Sequence, residues 1–157
     1  MKIAVVYYSY SGNTDFAAAE IAKVLNADKF RIETEGSGFL NFLRYKITKK
    51  LPKLRDDLEF NADAYDKIVL AAPVWAWDVA PAMKSFLKKY PLKNKEIALL
   101  LCHGGGASEK TLTKFKTLFD DSNKVVAEKI MVNPMKFQPS RSLSFIGTWL
   151  EDVWQTT

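Results

Sequence analysis

The amino-acid sequence predicts an α/β fold in which a parallel sheet is covered by helices on both faces. Three observations predict it. Short apolar runs rich in β-branched residues alternate with segments in which apolar residues recur every three or four positions. Two of the runs, Ile68-Val69-Leu70-Ala71-Ala72 and Ile97-Ala98-Leu99-Leu100-Leu101-Cys102, are apolar without interruption, as strands buried on both faces must be. No repeat and no linker rich in Gly, Ser or Pro divides the 157 residues, so one domain over residues 1–157 is expected, long enough to bury a core without staples.

Residues 2–8 form the first expected strand, ended by Ser9-Tyr10-Ser11-Gly12-Asn13-Thr14, after which Ala17, Ile21, Val24 and Leu25 recur at helical spacing. Residues 30–33 suggest a second, weaker strand. Beyond Gly36-Ser37-Gly38, the spacing of Phe39, Leu40, Leu43, Ile47 and Leu51 predicts a helix that buries this stripe and solvates its basic face. Residues 67–72 form the third strand, which ends at Pro73. Pro81 opens a helix whose Met83, Phe86, Leu87 and Tyr90 share one side. Residues 96–102 give the fourth strand, Ser108 caps a helix with Leu112, Phe115, Leu118 and Phe119 inward, and residues 125–132 give the fifth. A last helix from about Ser140 aligns Leu143, Ile146, Leu150 and Val153.

Composition narrows the class. Hydrophobic residues make up 48% and charged residues 26%, which excludes collagen-like, low-complexity and largely disordered chains. The longest apolar run spans ten residues, from Ile68 to Trp77, about half of the roughly 20 needed to cross a bilayer, so no membrane span is expected. The amino terminus reads as a strand and carries no cleavage-site pattern, and the single cysteine, Cys102, allows no internal disulfide and no multi-cysteine metal site; together these predict a cytoplasmic protein. The formal charge of +5 is concentrated: Arg44, Lys46, Lys49, Lys50, Lys53 and Arg55 fall within residues 44–55 with no acidic residue among them, leaving 17 basic against 18 acidic elsewhere. That segment is either a solvated helix face or a landing site for an acidic partner; nucleic acid is not expected, because no aromatic-interleaved basic surface or DNA-binding motif accompanies it.

Ligands of such sheets bind beyond the carboxyl ends of the strands, near the point where strand order reverses. Three loops qualify. In Ser9-Tyr10-Ser11-Gly12-Asn13-Thr14, successive backbone N–H groups at the positive end of a helix, with the Ser9, Ser11 and Thr14 hydroxyls and the Asn13 amide, make an anion cradle, and Gly12 permits close approach. Without Lys or Arg it suits a terminal phosphate and not a nucleotide-hydrolysing loop; the plain alternative is a helix cap supplied by Ser11 or Asn13. Pro73-Val74-Trp75-Ala76-Trp77-Asp78 carries two indoles, which offer a wall for a planar aromatic ring or else close the core beneath the next helix. His103-Gly104-Gly105-Gly106 brings main-chain N–H groups to a ligand edge, where they would stabilise a ring that gains negative charge. Cys102 and His103, being adjacent at a strand end, should face opposite ways, so Cys102 is expected buried and inert.

Ser9-Tyr10-Ser11-Gly12-Asn13-Thr14 resembles the flavodoxin phosphate-loop pattern [ST]-x-[ST]-G-x-T at every specified position, and Ala72-Pro73-Val74-Trp75-Ala76-Trp77 looks like the flavin-flanking loop after the third strand of that family. The glycines at 104–106 sit where its second flavin loop would. The resemblance implies a flavodoxin-like three-layer αβα sandwich, with a five-stranded parallel sheet in the order 2-1-3-4-5. It also implies bound FMN, with phosphate in the first loop and isoalloxazine between the second and third. Two departures stand out: typical flavodoxins are strongly acidic, whereas this chain is basic, and the third loop lacks the acidic or aromatic residue that many carriers place beside the flavin. The implied function is electron transfer through the flavin to a redox partner protein or a small-molecule acceptor. The alternatives are an FMN-dependent NAD(P)H oxidoreductase acting on a small molecule or quinone, and a non-redox module binding a phosphorylated ligand or a protein. No side chain stands out as an acid or base, so none is named as catalytic.

Overall fold

In the three central strands, successive side chains go to opposite faces, and both faces are apolar. The computed structural model describes residues 1–106, 109–136, 139–151 and 154. Its strands are β1 (Ile3–Tyr7), β2 (Asp28–Arg31), β3 (Lys67–Trp75), β4 (Asp78–Val79), β5 (Glu96–His103) and β6 (Lys124–Val132). Its α-helices are α1 (Asn13–Val24), α2 (Gly38–Thr48), α3 (Pro81–Lys89), α4 (Glu109–Lys116) and α5 (Pro139–Glu151). Along β1, β3 and β5, Ala4, Val6, Ile68, Leu70, Ala72, Ile97, Leu99 and Leu101 enter one core with Met83 and Phe86 of α3 and Leu112 and Phe115 of α4. Val5, Tyr7, Val69, Ala71, Ala98, Leu100 and Cys102 enter the other with Ala17 and Ile21 of α1 and Ile146 and Leu150 of α5. The result is three layers, a flavodoxin-like α/β fold.

The strands lie in the order β2-β1-β3-β5-β6, all parallel, with β4 antiparallel to the end of β3. This is the expected 2-1-3-4-5 order with a sixth, two-residue strand added. The third strand does not stop at Pro73 but runs on to Trp75. Proline is tolerated because Pro73, like Ala71, turns its backbone toward the β1 side, and pairing with β1 ends at Ala71. There the Pro73 carbonyl accepts from Ala80 N–H at 3.1 Å, so β4 occupies the side that β1 has vacated.

α2 departs most from expectation. Its predicted buried stripe faces outward: Phe39, Leu40, Leu43 and Ile47 are 53%, 63%, 41% and 83% exposed, and no residue of α2 is fully buried. Asn41, Phe42 and Tyr45 hold the helix instead. Asn41 donates to Glu35 O at 2.8 Å, the Phe42 ring meets Trp75 edge-on at 5.2 Å, and the Tyr45 hydroxyl accepts from Lys84 Nζ at 3.0 Å. Three- to four-residue spacing defines a stripe without saying which side of the helix the protein lies on. α4 also ends before Leu118 and Phe119, which are partly buried in the turn beyond it. Ser108 and Val153, expected to cap α4 and align in α5, lie outside the described residues.

Candidate functional site

The chain runs from β1 to β2 on one side and from β3 to β5 and β6 on the other, so the strand order reverses between β1 and β3. The loops leaving these strands meet at the carboxyl edge, where a doubly wound sheet places its ligand. They touch through aromatic edges, with the Tyr8 and Tyr10 rings T-shaped against Trp75 at 5.9 and 5.4 Å.

The first loop is an uncapped helix start. Gly12 adopts φ +96, a backbone conformation that an L side chain rarely adopts, and its N–H donates to Ser9 Oγ at 3.2 Å. No side chain caps α1, and helical bonding begins with Phe16 N–H to Gly12 O at 2.9 Å. The amides of Asn13, Thr14 and Asp15 therefore head the helix with no protein acceptor among the described residues, at the positive end of its dipole. The Ser11 hydroxyl accepts from Asn13 Nδ2 at 3.1 Å, and Asn13 Oδ1 accepts from Met135 N–H at 3.1 Å, so neither Ser11 nor Asn13 acts as the cap. Thr14 is 1% exposed with its side chain beside the Cys102 thiol, leaving its backbone N–H as the group it offers outward. Asp15, whose charge would repel an anion, is drawn aside by the Tyr7 hydroxyl, which donates to it, and by Arg31 at 3.8 Å. Burial and this carboxylate together push the Tyr7 hydroxyl well above its usual range.

The second loop is a hairpin bend. Val74 pairs with Val79 and Trp75 with Asp78, leaving Ala76 and Trp77 as a two-residue turn with φ +50 and +58. Such turns normally use Asn or Gly, because a side chain in the left-handed region is disfavoured. An ion pair buttresses the bend: the Lys84 ammonium lies 2.6 Å from Asp78 Oδ2 and also donates to the Tyr45 hydroxyl at 3.0 Å, and Val79 N–H donates to Asp78 Oδ1 at 2.8 Å. Trp75 is partly buried among Tyr8, Tyr10 and Phe42, whereas Trp77 is 65% exposed. Of the two indoles, Trp77 is the one exposed to solvent.

The third loop leaves β5 at His103. A Cβ added at Gly106, where φ is +94, would sit 3.1 Å from Trp77 Nε1, so the Trp77 indole rests on Gly106. His103 Nδ1 is buried without a hydrogen-bond partner among the described residues, and desolvation holds the imidazole below its usual pKa. Cys102 faces away, into the core on the α1 side, and burial pushes its thiol up to about 12, as its expected inertness requires.

A fourth loop, after β6, escaped sequence reasoning. Asn133 N–H donates to His103 O at 2.8 Å, Asn133 Oδ1 accepts from Asn13 Nδ2 at 3.5 Å, and the Met135 thioether lies beside Gly12. The only signal was the Asn-Pro pair after the last strand, which marks a turn but says nothing of where it packs.

These observations define a doubly wound α/β protein with an uncapped helix start at its topological switch point. The chain belongs to the flavodoxin domain family, whose model matches residues 43–137; the matched stretch contains the second and third loops, and the first precedes it. A comparison with curated proteins found no match. Among solved structures, a Bacteroides eggerthii protein described as a flavoprotein superposes with a TM-score of 0.77 at 20% identity, covering 97% of each chain. A Lactobacillus acidophilus flavoprotein in complex with FMN gives 0.66 at 20% identity, over 95% of this chain and 98% of that one. Oxidised flavodoxin 2 from Bacillus cereus gives 0.61 at 18%, over 98% and 100%.

Proposed function

We propose that this protein binds FMN and transfers electrons through it. The observation that carries the reading is the uncapped start of α1, where the Asn13, Thr14 and Asp15 amides stand beside the Ser9 and Ser11 hydroxyls with no protein acceptor among the described residues. A dianionic phosphate is the group such a set of uncharged donors suits. The residues present fit FMN in two further respects: His103 Nδ1 is an orphaned polar atom at the third loop, and Trp77 offers an uncommitted aromatic face. The FMN in the Lactobacillus acidophilus relative supports the same reading.

In this reading Ser9, Tyr10, Ser11, Gly12, Asn13 and Thr14 hold the phosphate. Pro73, Val74, Trp75, Ala76 and Trp77 wall one side of the ring system, and His103, Gly104, Gly105 and Gly106 contact its pyrimidine edge. When bound, FMN supplies the reversible uptake of electrons. The chain's own residues bind and orient: the α1 dipole and amides offset the phosphate charge, Asp15 is kept out of the cradle by Tyr7 and Arg31, and the glycine backbone brings N–H donors to the ring edge. The donor and acceptor are a redox partner protein or a small molecule.

The test is titration of the purified apoprotein with FMN and with riboflavin. Quenching of flavin fluorescence by both, with FMN bound much more tightly, is the expected result; equal affinity for the two would remove the phosphate assignment. Steady-state oxidation of NADPH with a quinone acceptor by the loaded protein would identify an enzyme with its own substrates and displace the carrier reading.

A further inference from the structure

We infer that α2 is an interfacial helix that docks this protein on an anionic lipid surface, with Phe39, Leu40, Leu43 and Ile47 entering the headgroup boundary and Arg44, Lys46, Lys49 and Lys50 meeting lipid phosphates. At about 100° per residue, these four apolar residues occupy about 100° of arc. That arc is centred nearly opposite the side held by Asn41, Phe42 and Tyr45. The apolar ridge is thus the outermost line of the helix. Arg44 lies about 40° beyond one edge of the arc and Lys46 about 20° beyond the other, which lets both snorkel into a plane of phosphates while the ridge points into it.

The charge on this face is available. Arg44, Lys46, Lys49 and Lys50 are exposed, and none is paired with a carboxylate among the described residues. The Lys49 ammonium lies over the Tyr45 ring at 5.5 Å, a contact that leaves its charge uncancelled. Further along, Lys53 is bridged to Glu35 and Arg55 to Asp57, so the cationic character concentrates at the helix itself. The same charge argues against a second copy of this chain as the occupant, since two such faces would repel. A partly exposed apolar ridge flanked by cations on both sides is the pattern of a helix lying on a membrane. Docking would hold the Trp75 bend near the lipid, because Phe42 packs on Trp75, and Lys46 and Lys49 line a hollow of about 230 Å³ together with Trp75, Ala76 and Asp78.

The experiment is flotation of the full-length protein with vesicles of phosphatidylcholine alone and of phosphatidylcholine with phosphatidylglycerol. Binding to the anionic vesicles, weak binding to neutral ones and loss at high salt are expected. Neutralising Lys46, Lys49 and Lys50 to Gln should weaken binding about five-fold per charge. Ile47→Asp, at an exposed position, should abolish it while leaving the thermal transition and FMN affinity unchanged. Failure to bind anionic vesicles at low salt, dimerisation through this face, or retention on an acidic polypeptide without vesicle binding would each overturn the inference. So would full binding by the Ile47→Asp variant, which would reduce the contact to charge adsorption without insertion.

Discussion

Replacing Ser11 by Ala separates a phosphate site from a mere loop. Among the described residues the Ser11 hydroxyl makes one hydrogen bond, accepting from Asn13 Nδ2 at 3.1 Å in an exposed position, so its loss should change folding stability by less than about 0.5 kcal/mol. If the same hydroxyl donates to a dianionic phosphate, its loss costs about 1.5–3 kcal/mol of binding, or about a 10- to 150-fold rise in the FMN dissociation constant. Riboflavin has no phosphate, and its affinity should not move. Thr14→Ala should behave oppositely: Thr14 is buried with its side chain beside Cys102, and alanine keeps the backbone N–H, so the main effect is a stability loss of about 1–2 kcal/mol. The assay is flavin fluorescence titration with both ligands, paired with urea unfolding of each variant. Equal losses for FMN and riboflavin in Ser11→Ala, or no loss for either, would refute the placement of phosphate at the head of α1.

Asp78→Asn should destabilise the protein by about 1–2 kcal/mol, between the values for exposed and fully buried pairs, because it strips a largely buried ammonium of its partner. Lys84→Met should cost less, and urea unfolding that shows the reverse order would discount the buttress under the tryptophan bend. Cys102 should resist thiol reagents in the native protein at neutral pH and react fully in denaturant; rapid native labelling would contradict its burial against Thr14. His103, held below its ordinary value of 6.5 by desolvation, binds fewer protons folded than unfolded in the window below 6.5. Its contribution to stability is therefore complete above that pH and lost as pH falls through the folded value. His103→Gln should flatten this part of the stability profile, measured by thermal melts across acidic pH.

The layered fold was legible because its signals are local. Uninterrupted apolar runs at 68–72 and 97–102 can be satisfied only by strands covered on both faces, and the Ser-x-Ser-Gly-Asn-Thr junction carries its own turn and helix start. Sidedness was not legible. The spacing in α2 is equally compatible with a buried and an exposed ridge, and the choice fell to Phe42 and Tyr45, which look unremarkable in sequence but reach Trp75 and Lys84. Nor could the strand count have been read fully, since β4 is two residues long and exists because β1 ends early. The loop after β6 joins the site through contacts spanning about 120 residues, from Asn13 to Asn133 and Met135, a separation at which no periodicity speaks.

The two-residue bend at Ala76 and Trp77 is anchored on both sides by paired strand, so it has no slack with which to swing as a lid. Only the indole itself can turn, about its side-chain torsions, and exposed side chains reorient within picoseconds to nanoseconds. Whatever planar group enters between this bend and Gly106 has to lift the indole from its seat, and that barrier is a single rotor's. Entry and departure at this edge should accordingly show simple one-step kinetics, with no slow phase of the kind that loop closure imposes.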